Sequence, residues 1–216
     1  MFDFSNFDET IFQTNKTFRC IDRYEDILLE PDLEKDEIYL LVLVLSAPTH
    51  WEERRRARSV SWYPENTPEY RGIVKHVFIL GTVQDPTVQA GLEEESSKYG
   101  DILQVSVPDR YRNLAYKSIS GFLWVADNYS PRYIVKIDDD LEIDTWKLVN
   151  ILEEKYPRNT IPDPNIIHCT VFRNFRPERR KDSLNKKWSV STAEYPRKKK
   201  LKKFVILFCT IKGVTD

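Results

Sequence analysis

The stretch Tyr133-Ile-Val-Lys-Ile-Asp-Asp-Asp140 decides how the rest of the chain is organised. Residues 133–137 form a short apolar run rich in β-branched side chains, which predicts a buried strand. Three carboxylates follow at once and repel one another, unless a divalent cation such as Mg²⁺ or Mn²⁺ neutralises them together with substrate phosphates. A solvated acidic turn is the alternative. Because ligands sit at the carboxyl edge of strands in open α/β sheets, the strand context favours a metal-binding cluster.

Strands and helices alternate along most of the chain. Apolar runs predict strands at residues 38–46, 74–81, 102–107 and 133–137, and helical periodicity follows each of them at residues 51–62, 88–99, 113–129 and 146–156. Parallel strands covered by helices on both faces produce this pattern. The sequence therefore predicts an α/β fold, a doubly wound α/β/α sandwich with a mainly parallel sheet.

The two ends of the chain depart from this alternation. Residues 1–37 show no clear period and predict an N-terminal arm or an edge element. Residues 166–172 predict a further strand, whereas residues 197–216 begin almost entirely basic and then turn apolar. A lone hydrophobic strand needs a partner, and the sequence does not indicate one, so we expect a sheet that is incomplete at the C-terminus.

Composition narrows the class of protein. The chain has 216 residues, of which 41% are hydrophobic and 31% charged, with a formal net charge of −1. These values predict one folded domain with a substantial core and exclude a membrane-embedded body. The apolar run at residues 38–46 is shorter than the roughly 20 residues of a spanning helix and has acidic residues before it. We therefore expect no anchor or secretory signal within this sequence.

Two segments could bind the phosphates that a cation on the acid cluster would attract. Asp109-Arg-Tyr-Arg-Asn113 leads into the helix predicted at residues 113–129, whose N-terminus would favour an anion. Lys117, one turn inside, could contact a phosphate, the alternative being an ordinary surface lysine. The apolar residues of this helix predict one buried face: Leu114, Ile119, Phe122, Leu123 and Ala126.

The second candidate segment is the run Arg54-Arg-Arg-Ala-Arg58 after the first strand. Such a run is usually a solvated helix face, but its position after a strand places at least one arginine near the acid cluster. The sequence contains no phosphate-binding loop with Gly-Lys-Ser/Thr and no Gly-x-Gly-x-x-Gly fingerprint. A nucleotide-diphosphate donor bound through a metal is the ligand class that remains.

The chain resembles the β-1,3-galactosyltransferase family, inverting Golgi hexosyltransferases with the Rossmann-like GT-A fold. The resemblance extends from about residue 41 to residue 196, and its motifs are specific in their order and spacing. They are Ser46, Arg55, Ser61-Trp62, Phe78-Ile-Leu-Gly81, Glu95, Tyr99-Gly-Asp-Ile102, Asp109-x-Tyr-x-Asn-Leu-x-x-Lys117, Lys136-x-Asp-Asp-Asp140, Trp188 and Glu194-Tyr-Pro196. The predicted galactosyltransferase-like domain is accordingly residues 38–196, and residues 197–216 are predicted to be an off-family tail.

The resemblance implies a metal-dependent transfer of a hexose, galactose or N-acetylglucosamine, from a UDP-sugar to a glycan on a glycoprotein or glycolipid, through a β-1,3 linkage. It implies that Asp140 binds Mn²⁺ and that a set of residues binds the donor: Ser46, Arg55, Asp109, Asn113, Lys117, Asp138 and Asp139. It also implies a type II membrane protein in the Golgi lumen, without nucleic-acid partners.

Two features depart from the family pattern. Arg58-Ser59 lies one place off the Ile-Arg pair that the family has before Ser61-Trp62. After Tyr195-Pro196 the family continues to a Glu-Asp-Val motif that carries the general base, and residues 197–216 do not match it. No catalytic residue is therefore assigned. A catalytically inactive or truncated member, which only binds a nucleotide sugar or a partner protein, is the alternative to an active transferase.

Overall fold

The computed structural model describes residues 27–33, 37–59 and 73–160, the backbone of strands 167–175 and 201–209, and residues 179, 189 and 191–193. Contacts divide the chain into two compact units, residues 1–167 with 208–216 and residues 168–207. The domain boundaries predicted at residues 37/38 and 196/197 stay predictions.

The first unit contains an open sheet covered by helices. Its strands are β1 (Ile27–Leu29), β2 (Leu40–Leu45), β3 (Val74–Thr82), β4 (Ile102–Pro108) and β5 (Tyr133–Asp138). Its helices are α1 (Trp51–Ser59), α2 (Pro86–Tyr99), α3 (Leu114–Asn128) and α4 (Thr145–Lys155), with a 3-10 turn at Tyr111–Asn113. Two further strands, β6 (Ile167–Phe175) and β7 (Leu201–Cys209), occur later in the chain. The predicted alternation of strands and helices is confirmed.

The strand order places the middle of the chain at the centre of the sheet. The order runs β1-β4-β3-β2-β5, where β2 is parallel to β3 and β5, β3 is parallel to β4, and β1 is antiparallel to β4. The carboxyl ends of β2 to β5 therefore share one edge. The order reverses at the β2–β5 junction, because β3 and β4 lie on one side of β2 and β5 lies on the other, and a doubly wound fold binds its ligands at such a point.

Alternate strand residues pack on opposite helices. On one face, β2, β3 and β5 pack with α2 and α4 through a cluster that includes Val42, Phe78, Val135, Leu92 and Leu152. On the other face, the same strands pack with α3 through Leu43, Ile79, Ile134, Trp124 and Val125. Both faces of the sheet are thus covered, which confirms the α/β/α sandwich.

The face of α3 that contacts the sheet agrees only in part with the predicted one. Its buried residues are Lys117, Ser120, Gly121, Trp124 and Val125, whereas Ile119 is 47% exposed and Ala126 is also exposed. A Cβ on Gly121 would lie 2.2 Å from Cδ1 of Ile79, so this helix approaches the sheet through small residues. Of the predicted residues, Leu114 and Phe122 do pack against the core, whereas Ile119 and Ala126 do not, because close packing and a paired lysine set the orientation of the helix.

The ends of the chain add to the sheet. The described part of the predicted arm contributes the edge strand β1, and Trp124 Nε1 donates to Glu30 at 2.9 Å. The apolar C-terminal segment also has a partner, since Cys209 lies opposite Ile134 in an antiparallel pairing. Within the described residues, the helices are too short or too polar to cross a membrane.

Candidate functional site

The acid cluster, residues 138–140, lies where β2 and β5 end side by side. Asp138 is the last residue of β5 and is in register with Leu45, the last residue of β2. The backbone N–H of Asp139 donates to the carbonyl of Leu45 at 3.1 Å. The carboxylates therefore begin at the same edge as the loop that starts with Ser46, at the point where the strand order reverses. The predicted location of the cluster at the carboxyl edge is confirmed.

The carboxylates of the acid cluster have different surroundings. Lys136 Nζ donates to Asp138 at 2.8 Å, and this aspartate is exposed. Asp139 is paired with Nδ1 of His50 at 2.8 Å, and its side chain is only 11% exposed. Asp140 is exposed. The ammonium of Lys136 thus relieves part of the repulsion within the cluster, and Asp139 has a hydrogen-bond partner in His50.

A cation at this cluster would need ligands from outside the protein. Among the described residues, no group of three His, Cys, Asp or Glu side chains is arranged to hold a metal ion. Asp140 offers an exposed carboxylate. This donor set does not fit a closed protein cage, but it fits a hard cation held by one or two carboxylates together with phosphates and water, the arrangement usual for Mg²⁺.

A cleft of about 460 Å³ opens at the same sheet edge. Its lining comes from the three loops that follow β2, β3 and β4, namely residues 47–49, 82–85 and 108–110. Clefts of this size are typical of small-molecule sites. The parallel strands place these loops together, because each strand ends at the same edge.

Lys117 fixes one wall of this cleft. It is 3% exposed, and its ammonium donates to the carbonyl of Ser46 at 2.7 Å and to Asp109 at 2.8 Å. The same oxygen of Asp109 accepts the N–H of Gly81 at 2.8 Å. One ammonium thus links the ends of β2, β3 and β4. The alternative of an ordinary surface lysine is wrong.

Asn113 and Ser46 also form hydrogen bonds that hold the chain segments lining the cleft. Asn113 donates through Nδ2 to the carbonyl of Pro108 at 2.8 Å, beside the cleft lining. Ser46 is buried, and its hydroxyl accepts a hydrogen bond from Arg54 at 3.1 Å. The structure therefore brings Ser46, Asp109, Asn113 and Lys117 together behind the cleft, where they hold its backbone.

Arg54 is the arginine that reaches this edge. It is fully buried, and besides Ser46 its guanidinium donates to the carbonyls of Ala47 at 2.7 Å and Pro48 at 3.3 Å. Three consecutive carbonyls, at residues 46–48, therefore accept hydrogen bonds from two buried cations, Arg54 and Lys117. The loop after β2 is held from both sides.

Arg55, the residue predicted for this role, lies elsewhere. Its side chain is 63% exposed and pairs with Glu52 at 2.6 Å on the same helix. It lines a separate groove between α1 and α2 together with Trp51 and Tyr99. The structure does not bring Arg55 to the acid cluster, because α1 turns this position outward and Arg54 inward. Its predicted contact with a donor stays a prediction.

Arg54 and Arg58 share the carboxylate of Glu95. Arg54 donates to it at 2.8 and 2.6 Å, and Arg58 donates to it at 2.8 Å. Arg58 also binds both oxygens of Asp101 at 2.7 Å. The two arginines stand four residues apart and so face one side of α1. The one-residue offset was predicted relative to Ser61-Trp62, and these two residues lie outside the described part of the chain.

The protonation of this cluster follows from its partners. Burial alone would raise the pKa of the Glu95 carboxyl, but hydrogen bonds from Arg54 and Arg58 outweigh burial and hold this pKa below its ordinary value. Burial would lower the pKa of Arg58, and its hydrogen bonds to Asp101 and Glu95 instead raise it. Glu95 and Arg58 are therefore charged near neutral pH, and the cluster is an ion-pair network.

Sequence reasoning missed His50 and Arg54. The four-residue spacing between Arg54 and Arg58 could have identified the inward pair, because positions four apart share a helix face. No local signal links His50 to Asp139, since 89 positions separate them.

Comparison with known proteins places this chain in a family. The family model described as Galactosyltransferase matches residues 53–210, which is more than half of the chain and extends past Pro196. Beta-1,3-galactosyltransferase 4 of Mus musculus is 41% identical over 120 residues, which cover 54% of this chain and 31% of that protein.

Two other relatives extend the similarity along more of the chain. Beta-1,3-galactosyltransferase 2 of Mus musculus is 32% identical over 178 residues, covering 80% of this chain and 40% of that protein. UDP-GlcNAc:betaGal beta-1,3-N-acetylglucosaminyltransferase 7 of Rattus norvegicus is 32% identical over 171 residues, covering 74% and 41%. The chain thus spans well under half the length of these relatives. From the family match and the sheet-edge geometry together, we conclude that this chain belongs to the galactosyltransferase family.

Proposed function

We propose that this chain supplies the nucleotide-sugar site of a glycosyltransferase. The reaction would transfer a hexose, galactose or N-acetylglucosamine, from a UDP-sugar to a glycan acceptor through a β-1,3 linkage. The observation that carries the proposal is that the acid cluster and the cleft share the carboxyl edge of the sheet, where the strand order reverses. The names of the relatives, β-1,3-galactosyltransferases and a β-1,3-N-acetylglucosaminyltransferase, support the choice of sugars.

The residues around the cleft would support donor binding by holding the backbone of the cleft in place. Lys117 and Arg54 hold the backbone of the loop at residues 46–49, so that the nucleotide meets a rigid wall. Asp109 joins this wall to Gly81, and Asn113 holds the end of β4. Rigid support lowers the ordering cost of binding.

The exposed carboxylate of Asp140 would hold Mn²⁺, with Asp138 beside it and the diphosphate completing the ligand set. When bound, the ion acts as a Lewis acid that stabilises the departing diphosphate. The residues of this chain keep the carboxylate at the sheet edge, because β5 is fixed to β2 through the full register from Leu40 to Leu45.

Calorimetric titration of UDP with and without Mn²⁺ tests the proposal on three proteins: the parent chain, Asp140→Ala and Glu142→Ala. Glu142 is an exposed acid on the same loop and serves as the matched control. We expect Mn²⁺ to tighten UDP binding for the parent and for Glu142→Ala, and to have no effect on Asp140→Ala, which should keep its fold because removing a charge relieves repulsion. Equal affinity in every titration would refute the donor site.

The acceptor and the cellular site are also part of the proposal. We propose a glycoprotein or glycolipid acceptor and a location at the Golgi membrane, facing the lumen, on the ground of family membership. Expression of the full natural protein with a lumenal tag, followed by a transfer assay with UDP-galactose and UDP-N-acetylglucosamine, tests both. Donor binding without any transfer by that protein would favour an inactive member that binds a nucleotide sugar or a partner protein.

A further inference from the structure

The side chain of His50 connects the loop after β2 with the loop after β5. It follows the loop that lines the cleft, and its ring contacts Asp139 in the loop after β5, with 2.8 Å between Nδ1 and Oδ2. This contact lies where the strand order reverses, at the crevice in which a doubly wound fold binds its ligands. It therefore joins the wall of the cleft to the acid cluster.

The support beneath His50 is rigid. Its backbone N–H donates to the carbonyl of Ala47 at 3.0 Å, and its own carbonyl accepts the N–H of Arg54 at 3.2 Å. The carbonyl of Ala47 also accepts from the guanidinium of Arg54 at 2.7 Å. The ring thus reaches Asp139 from a backbone that is tied at each side, which favours one orientation of the carboxylate.

The hydrogen bond between His50 and Asp139 has a donor and an acceptor that follow from the chemistry of the two groups. An ionised carboxylate only accepts hydrogen bonds, so Nδ1 of His50 carries the hydrogen. The described residues supply no second hydrogen-bond partner for the Asp139 carboxylate, whose side chain is 11% exposed. One oxygen is therefore committed to His50, and the other is available to a ligand in the crevice.

The kind of ligand group follows from the same rule. A carboxylate repels a diphosphate and donates no hydrogen bond, so within a nucleotide sugar it pairs with a hydrogen-bond donor. The hydroxyls of the ribose and the hexose are the most numerous of these donors, and the N–H of uracil is another. We propose that His50 is a positioning residue of the donor site, which holds Asp139 so that its second oxygen accepts a hydrogen bond from a sugar hydroxyl of the ligand. This inference rests on the proposed function, and it adds a residue that the family motifs do not include.

Three substitutions separate this role from a direct contact. His50→Ala removes the ring, whereas His50→Asn places an amide N–H near the position of Nδ1, and His50→Gln places one nearer to Nε2. Arg56→Ala, at an exposed position on α1, is the control. Each protein is titrated in Mn²⁺ with UDP, with 2′,3′-dideoxy-UDP and with UDP-galactose, and its thermal midpoint is measured.

In the parent protein, tighter binding of UDP than of the dideoxy analogue assigns the hydroxyl to ribose, and tighter binding of UDP-galactose than of UDP assigns it to the hexose. We expect His50→Ala to reduce that preference by about three- to tenfold, the effect of misaligning one hydrogen bond to a charged group. His50→Asn should restore the preference and His50→Gln should not, at unchanged thermal midpoints.

Two results would overturn the inference while leaving the proposed function intact. The first is an unchanged preference in His50→Ala. The second is rescue by Gln but not by Asn, which would show that the ring contacts the ligand directly through Nε2. If the parent protein binds none of the three ligands, the proposed function fails, and the role of His50 fails with it.

Discussion

Arg54 and Glu95 form a two-pronged ion pair, in which Nε and Nη2 of the guanidinium donate to the two carboxylate oxygens at 2.8 and 2.6 Å. The arginine is fully buried and also holds the backbone of the cleft loop. Through this one side chain, the packing of α1 against α2 is linked to the shape of the cleft.

Replacing Arg54 should therefore be costly, and replacing its neighbour should not. We expect Arg54→Ala to lower the free energy of unfolding by about 3–5 kcal/mol, because Glu95 would lose a partner within a buried cluster. Arg55→Ala should change it by less than about 0.5 kcal/mol, since Arg55 is 63% exposed and its partner among the described residues is the exposed Glu52. Urea unfolding of both variants measures the difference. Equal losses would contradict the assignment of Arg54 as the inward residue.

Lys117 should support both stability and donor binding. Lys117→Met keeps the aliphatic stem but leaves Asp109 and the carbonyl of Ser46 without their shared donor. We expect a loss of about 1–3 kcal/mol in unfolding free energy, together with weaker binding of UDP. Lys147→Met, at an exposed position on α4, is the control. An unfolding midpoint and a UDP affinity equal to those of the control would show that the ammonium does not hold the cleft.

Gly121 should tolerate a larger residue only when Ile79, its neighbour in the sheet, is made smaller. A Cβ at this position would lie 2.2 Å from Cδ1 of Ile79, so Gly121→Ala should be destabilising despite the better helix propensity of alanine. Combining it with Ile79→Val removes the clashing methyl, and we expect the double variant to recover most of the loss. Thermal unfolding of the two single variants and the double variant forms the cycle. Additive losses would contradict the proposed clash.

Gly81 offers the comparison for this test. A Cβ there would lie 2.4 Å from the backbone carbonyl oxygen of Val107, and no side-chain truncation can relieve such a contact. Gly81→Ala should therefore stay destabilised in the Ile79→Val background.

His76 should make stability depend on pH. Burial within β3 lowers the pKa of its imidazole from 6.5 to about 3. In the unfolded chain the His76 imidazole binds a proton near pH 6.5, whereas in the folded chain it does so only near pH 3. The free energy of unfolding should therefore fall as the pH drops from 6.5 to 3. The contribution is fully present above pH 6.5.

Urea unfolding at several pH values between 7 and 4 tests this dependence. His76→Leu, a replacement of similar size, should flatten the fall. A parent protein whose stability stays constant across this window, or a His76→Leu variant with an undiminished slope, would contradict the prediction.

Local sequence patterns are enough to predict the layers of the fold and the sheet edge on which the acids lie. Apolar runs of strand length that alternate with helical segments can bury their side chains only between helices on both faces. Asp138 follows such a run without interruption, so its place at the carboxyl edge is a local property of the chain. The family motifs are local too, and they led to the same assignment as the match over residues 53–210.

The side chains that act together are selected by packing between distant segments. Arg54 rather than Arg55 reaches the cleft, because the rotation of α1 is set by Glu95 and Asp101, which lie about 40 positions away along the chain. Lys117 is buried because two oxygens converge on it from the ends of β2 and β4. His50 meets Asp139 only because β2 and β5 are neighbours. Hydrogen bonds between distant segments fix these positions, and they leave no trace in local hydrophobic periodicity.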